Sequence, residues 1–97
     1  MFVRRDLSAP QIAVQSCHAV VESTKNDPYQ GEHPSVIICG IKTEAELKKV
    51  VDYLGKVNIK NFQFREPDIG NELTAVSTCL IEEEQRSLFR KFQLLKI

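Results

Sequence analysis

Apolar and polar residues follow one another along this chain in short blocks that predict alternating strands and helices. A segment at residues 2–5, which ends in charge, and an apolar run at residues 36–41 have the length of buried strands. Residues 58–65 alternate between two sets of side chains, and residues 73–81 are rich in β-branched residues, so both segments are predicted to be strands. The end of the chain, residues 94–97, predicts a short final strand.

Three further segments carry helix signals. Ser8 can cap a helix over residues 9–24. Thr43 and an acidic residue three positions later form a capping box for a second helix, which ends at Gly55. An acidic run begins a third helix over residues 82–92, because carboxylates are favoured at a helix N-terminus.

The first helix is predicted to have a buried apolar face and a polar stripe. The apolar face carries Ala13, Cys17, Val20 and Val21. The polar stripe carries Gln11, Gln15, His18 and Glu22. Candidate chemistry is therefore expected on the stripe.

The elements follow in the order β-α-β-α-β-β-α, with the short strand last. Such alternation predicts an α/β fold with a partly parallel sheet and helices over its faces. Polar segments at residues 25–34 and 67–71 predict a loop and a turn. With 97 residues and neither repeats nor a linker, the chain is predicted to form one domain over residues 1–97.

The composition is that of an ordinary globular domain without charge bias. Hydrophobic residues make up 42% and charged residues 27% of the chain, and the formal net charge is zero. A nucleic-acid-binding domain usually carries a basic excess, because neutralising phosphates supplies much of its affinity. The neutral balance argues against tight nucleic-acid binding, while a local patch at Arg4 and Arg5 stays compatible with it.

Cysteine usage and hydropathy predict a cytoplasmic protein. The three cysteines are scattered, odd in number and form no C-x-x-C pair, which is typical of a reducing compartment and argues against a zinc site. No apolar stretch has the length of a membrane span, and the N-terminal residues do not form a signal peptide. No phosphate-binding glycine loop or metal-ligand spacing is present, so neither a metal nor a cofactor is expected.

His18 is the leading candidate for chemistry, because histidine side chains titrate near neutrality and suit proton transfer. Glu22, one turn further along the helix, could orient the imidazole and favour its charged form. The alternative is a surface histidine with a chance acidic neighbour. His33 lies in the predicted loop and is assigned no role.

A second candidate group surrounds the predicted turn, where Glu66, Asp68, Asn71 and Thr74 supply acceptors and donors. Turns between strands often carry binding groups in α/β proteins. The alternative is that these residues were selected for the backbone of the turn alone, as Asp, Gly and Asn commonly are.

Two segments together resemble the archaeal/eukaryotic-type peptidyl-tRNA hydrolase family. Residues 3–7 (VRRDL), followed by a helix carrying Gln15 and His18, are similar to the family's strand ending in R-x-D-L and its helix with A-A-Q-x-x-H-A. Residues 64–76 occupy the place of the family's loop and of the T-V-x-x-I strand after it. The resemblance runs in order over nearly the whole chain.

The resemblance implies a three-layer α/β sandwich, with a four-stranded mixed sheet and helices on both faces. It also implies hydrolysis of the ester between a peptide and the 3′ ribose of tRNA, without a cofactor. By match to the motifs, the catalytic residues would be His18, Thr74 as a hydrogen-bonding hydroxyl, and an acid from Glu66 or Asp68. Arg5, Asp6, Gln11, Gln15 and Asn71 would line the site or meet the substrate.

Departures from the family pattern keep other functions open. Pro10-Gln11 stands where the family has a glycine-lysine pair, and residues 66–72 replace a D-A-G-R-T loop, which loses an arginine and a threonine, so two positive charges of the family's site are missing. A catalytically silent binding module of the same fold, or a hydrolase of a smaller ester or amide, would also fit. Peptidyl-tRNA is the expected partner of an active enzyme, and pairing into a homodimer is a further expectation.

Overall fold

A four-stranded mixed sheet forms the centre of the computed structural model, which describes residues 1–27 and 34–96. The strands run in the spatial order β2-β1-β4-β3, with β1 parallel to β2 and antiparallel to β4, and β3 antiparallel to β4. Their bounds are β1 Phe2–Arg4, β2 Cys39–Ile41, β3 Asn61–Glu66 and β4 Glu72–Thr78. The predicted order of elements is confirmed, although β2 and β3 begin about three residues later than the sequence pattern indicated.

Both α-helices start at the caps that the sequence predicts. The first, α1 (Ala9–Asn26), opens with a complete capping box, in which Ser8 Oγ accepts the Gln11 amide and Gln11 Oε1 accepts the Ser8 amide. The second, α2 (Glu44–Lys56), begins after Thr43, whose hydroxyl accepts the backbone amide of residue 46. Each cap satisfies backbone N–H groups that have no partner within the helix.

The two helices cover opposite faces of the sheet. Neighbouring strand residues point to opposite sides, so Val3 of β1 packs under α1 while Phe2 packs under α2. The α1 side holds a small core of Val3, Ile12, Ala19 and Ala75. The α2 side holds a larger core that includes Phe2, Leu47, Leu54, Leu73 and Val76. The protein is therefore the α/β sandwich with helices on both faces that the sequence led us to expect.

The C-terminal segment differs from its prediction. The helix predicted over residues 82–92 is a 3₁₀ helix, Glu83–Phe89, and the predicted final strand is reduced to one bridge between Cys39 and Leu94. A 3₁₀ turn aligns side chains three residues apart. Phe89, at the end of this helix, and Phe92, just beyond it, both pack against Phe2.

The prediction for the buried face of α1 is wrong. Ala13, Cys17 and Val21 are exposed, and Val20 is only partly buried. The face that meets the sheet carries Ile12, Gln15, Ser16 and Ala19. The apolar pattern does not identify this buried face, because two of its four residues are polar. Gln15 is buried there because it accepts a hydrogen bond from Thr74.

A buried arginine ties the end of β1 to the start of β4. Arg4 is only 7% exposed, and its guanidinium donates to both carboxylate oxygens of Asp6, at 2.9 and 3.0 Å. It also donates to Glu72 at 2.6 Å and to the Leu73 carbonyl at 3.3 Å. The hydrogen bonds from Arg4 lower the pKa of the Asp6 carboxyl below its ordinary value.

Because of this pairing between Arg4 and Asp6, the free energy of unfolding should decrease at acidic pH. Because the pKa of Asp6 is lower in the folded than in the unfolded state, its stabilising contribution is complete above about pH 4 and is lost as the pH falls further. Asp6→Asn should therefore flatten the fall in the free energy of unfolding below about pH 4, measured by urea denaturation at a series of pH values. Asp52→Asn, at an exposed position of α2, should leave the slope unchanged. An unaltered slope in Asp6→Asn would contradict the assignment.

Candidate active site beside His18

A shallow cleft of about 260 Å³ lies between the first half of α1 and the turn after β3. Four residues that the sequence singled out line it. Gln11 and Gln15 come from α1, whereas Glu66 and Asp68 come from the end of β3 and the following 3₁₀ turn, Pro67–Ile69. The structure thus brings the amides of the helix and the carboxylates of the turn to one place.

The turn that carries the carboxylates is held by its backbone. Gly70 (φ 73°) and Asn71 (φ 60°) both lie in the left-handed region, which Gly and Asn tolerate best. The Asn71 amide donates to the Glu66 carbonyl at 2.9 Å and closes the loop. Asn71 does not line the cleft, and its left-handed backbone and closing hydrogen bond fit the turn-forming interpretation, while its substrate contact stays a prediction.

Beneath the cleft, the pairing of β3 with β4 shifts by one residue. Phe64 pairs with Ala75 but Arg65 pairs with Leu73, which leaves Thr74 as an extra residue in β4. Leu73 packs in the α2 core and Ala75 in the α1 core, while the Thr74 side chain also turns toward α1. Two successive side chains of β4 therefore face the first helix.

The extra residue places Thr74 under Gln15. Thr74 is fully buried, and its hydroxyl donates to Gln15 Oε1 at 2.6 Å, with a longer contact of 3.4 Å to the Phe64 carbonyl. The hydroxyl expected to meet substrate or water is therefore inside the protein. Thr74 supports the site by holding Gln15.

His18 lies about one turn beyond Gln15 on α1 and is exposed. Its ring stacks on Phe64, with 4.4 Å between the ring centroids and 12° between the planes. Within the described residues, its side chain has no hydrogen-bond or ion-pair partner. The expected orienting role of Glu22 is not found, because that carboxylate accepts a hydrogen bond from Asn26 at 3.3 Å. The stack on Phe64 orients the plane of the imidazole of this exposed residue.

Neither protein-family models nor curated proteins yield a match to this sequence. The case for a function thus rests on the residues of this chain, their geometry and the motif resemblance described above.

The two remaining predicted site residues lie apart from the cleft. The Asp6 carboxylate is engaged by Arg4. The Arg5 side chain passes beside Gly40, and its backbone amide donates to Ile41 of β2 at 2.8 Å, so this residue belongs to the β2 side of the sheet. A local basic patch at the cleft is therefore not formed by these two arginines.

The rest of the described structure contains no further predicted site residue in a cavity and no candidate metal site. A larger groove of about 880 Å³ between the end of α1 and the C-terminal segment contains none of the predicted site residues. Across residues 1–27 and 34–96, no cluster of His, Cys, Asp and Glu could hold a metal ion, and no helix has the length and apolarity to cross a membrane. Cys17, Cys39 and Cys79 are free thiols. His33 falls outside the described part of the chain.

The stack between His18 and Phe64 has a measurable energy. A double-mutant cycle with His18→Ala and Phe64→Leu should give a coupling of about 0.5–1.5 kcal/mol in the free energy of unfolding, the range for aromatic pairs. The imidazole protons of His18 should also move downfield in Phe64→Leu, because the ring current of Phe64 is removed. Zero coupling together with unchanged proton shifts would show that the rings do not stack in solution.

Proposed function

We propose that the chain hydrolyses the ester that joins an amino acid or a peptide to the 3′ ribose of tRNA, with His18 as the general base. The observation that carries this proposal is the exposed imidazole, which stacks on Phe64 and lies one helical turn from Gln15, a residue in the wall of a cleft that presents two amides and two carboxylates. The sequence resemblance to the archaeal/eukaryotic-type peptidyl-tRNA hydrolase family supplies the substrate class.

The reaction needs only water and the side chains of this site. The imidazole of His18 removes a proton from a water molecule as the water oxygen attacks the ester carbonyl carbon. The N–H groups of Gln15 stabilise the negative charge that develops on the carbonyl oxygen. The bond from the carbonyl carbon to the ribose oxygen then breaks, and that oxygen takes the proton from the imidazolium. The products are the free ribose hydroxyl and an acid, which releases its own proton to solvent.

One observation favours a second candidate. No lysine or arginine is among the described residues that line the cleft, and its charged groups are both carboxylates. A site of this kind repels phosphate, so hydrolysis of a smaller ester or amide, or ligand binding without catalysis, would use the same cleft without RNA contacts.

The decisive experiment measures release of tRNA from leucyl-tRNA and from N-acetyl-leucyl-tRNA, with leucine methyl ester as a small substrate. Wild-type protein should accelerate release from at least one of the two tRNA esters over the rate without protein. A His18→Ala sample purified in the same way controls for contaminating hydrolases. If only the methyl ester is hydrolysed, the substrate is a small ester and not a tRNA ester. If none of the three is hydrolysed, the protein is a binding module without catalysis.

A further inference from the structure

The fold holds an unpaired hydrogen-bond donor at the cleft. Gln15 is 4% exposed and is one of the residues that line the cleft. Its contact with the Thr74 hydroxyl, at 2.6 Å, has a length typical of O–H···O and is short for N–H···O, so the carboxamide oxygen faces Thr74. The nitrogen Nε2 consequently points the other way.

The free end of this amide faces the cleft. Among the described residues, Nε2 of Gln15 has no hydrogen-bond partner, and no fully buried side-chain nitrogen or oxygen lacks one. Nε2 therefore keeps some exposed surface, and Gln15 is one of the residues that line the cleft. A fixed amide donor in such a position binds an acceptor, and a carbonyl oxygen is the simplest acceptor that fits.

The other wall of the cleft carries negative charge. Glu66 and Asp68 make no ion pair with any residue in the described ranges, where the ion pairs lie at other positions. Two unpaired carboxylates beside an amide donor select a ligand in which a cation adjoins a carbonyl group. A phosphate is disfavoured there.

The remaining lining and the size of the cleft limit the rest of the ligand. Leu7, Val14 and Ile69 contribute apolar surface. The volume of about 260 Å³ falls just below the range of about 300–1,000 Å³ typical of ligand pockets. One amino-acid residue with an apolar side chain matches this space, and a peptide does not.

We infer that the cleft binds an α-aminoacyl group whose amino group is free and whose side chain is apolar. Gln15 Nε2 donates to the carbonyl oxygen, the carboxylates of Glu66 and Asp68 hold the α-ammonium, and the apolar wall takes the side chain. The inference rests on the proposed function only in taking the ligand to be an ester of tRNA. It narrows the substrate to aminoacyl esters and excludes esters whose α-nitrogen is acylated.

Leucinamide and N-acetyl-leucinamide test this without any hydrolysis. In a titration of ¹⁵N-labelled protein, leucinamide should shift the side-chain NH₂ signal of Gln15, which is assigned by its absence in Gln15→Met. It should bind about tenfold or more tightly than N-acetyl-leucinamide, because a charge-assisted hydrogen bond is lost on acetylation. Glu66→Gln/Asp68→Asn should abolish the preference, whereas the matched exposed pair Glu84→Gln/Asp52→Asn should keep it.

The outcomes separate this inference from the proposed function. Equal binding of the two amides, or no shift with either, overturns the inference even if tRNA esters are hydrolysed. Preferential binding of leucinamide without hydrolysis of any ester supports the inference and removes the catalytic proposal. If the inference and the proposed function are both correct, leucyl-tRNA should be hydrolysed about tenfold or more faster than N-acetyl-leucyl-tRNA.

Discussion

Replacement of His18 by alanine should lower the rate of acyl-tRNA hydrolysis by about 100- to 10,000-fold, the contribution of a positioned general base. His18 is the only histidine in the described part of the chain, and one face of its ring stacks on Phe64. Removal of the ring takes away both the base and the group that returns the proton to the ribose oxygen. The residual rate would come from binding and from the donor at Gln15.

Cys17→Ala is the matched control for this loss, since Cys17 is the exposed neighbour of His18 on the same helix. The control should retain the wild-type rate, and the free energy of unfolding of His18→Ala should fall by no more than the stacking energy of about 0.5–1.5 kcal/mol. Equal rates for wild type and His18→Ala would remove His18 from the mechanism. Measurement under single-turnover conditions separates the chemical step from product release.

Phe2→Ala should destabilise the fold by about 3–5 kcal/mol, the usual cost of removing a buried aromatic ring. Phe2 is 1% exposed and contacts Phe92 edge-on, with 4.9 Å between centroids, and Phe89 at 6.2 Å. The ring thus joins the sheet to the C-terminal segment. Since about 5–15 kcal/mol is the whole stability of an ordinary domain, this one deletion should bring it near the unfolding threshold.

Chemical denaturation measures the loss in the free energy of unfolding caused by Phe2→Ala, and Phe62→Ala is the control. Phe62, on β3, is only partly buried, so the same deletion there should cost clearly less. A loss below about 1 kcal/mol for Phe2→Ala would show that the C-terminal segment does not pack on the sheet in solution. If Phe2→Ala does not fold, Phe2→Leu should give a smaller but measurable loss by the same mechanism.

Signals confined to a few neighbouring residues were sufficient to predict much of the architecture. Ser8 and Thr43 are short hydroxyl residues placed just before helical segments, so both helix starts could be located. The capping box predicted at Thr43 is only half formed, since its hydroxyl accepts the residue 46 amide without the reciprocal bond, whereas the complete box lies at Ser8. The order of strands and helices followed from apolar runs and turn residues. The presence of helices on both sheet faces followed from that order together with the resemblance.

The candidate site was harder to predict because it depends on contacts between distant segments. Gln15 was expected on an open polar stripe, yet it is buried, because Thr74, 59 residues away, supplies its partner. The sequence pattern does not indicate that Phe64 supports His18, although Phe64 lies on β3 two positions from a second aromatic residue. Such a pair on one strand face is the signal that could have suggested an aromatic support next to the helix.

The extra residue in β4 has a consequence for how this protein can change. At this residue the alternation of side chains between the two faces of the sheet is interrupted once. Leu73 and Val76, which are an odd number of positions apart, therefore both pack in the α2 core. Substitutions within β4 alter packing but leave that pattern in place. Only gain or loss of a residue would reset it. Deletion of Ala75, for example, would restore unbroken alternation, with Leu73 and Val76 on the α2 side and Thr74 still facing Gln15 between them. The support of Gln15 would then survive the loss of the extra residue.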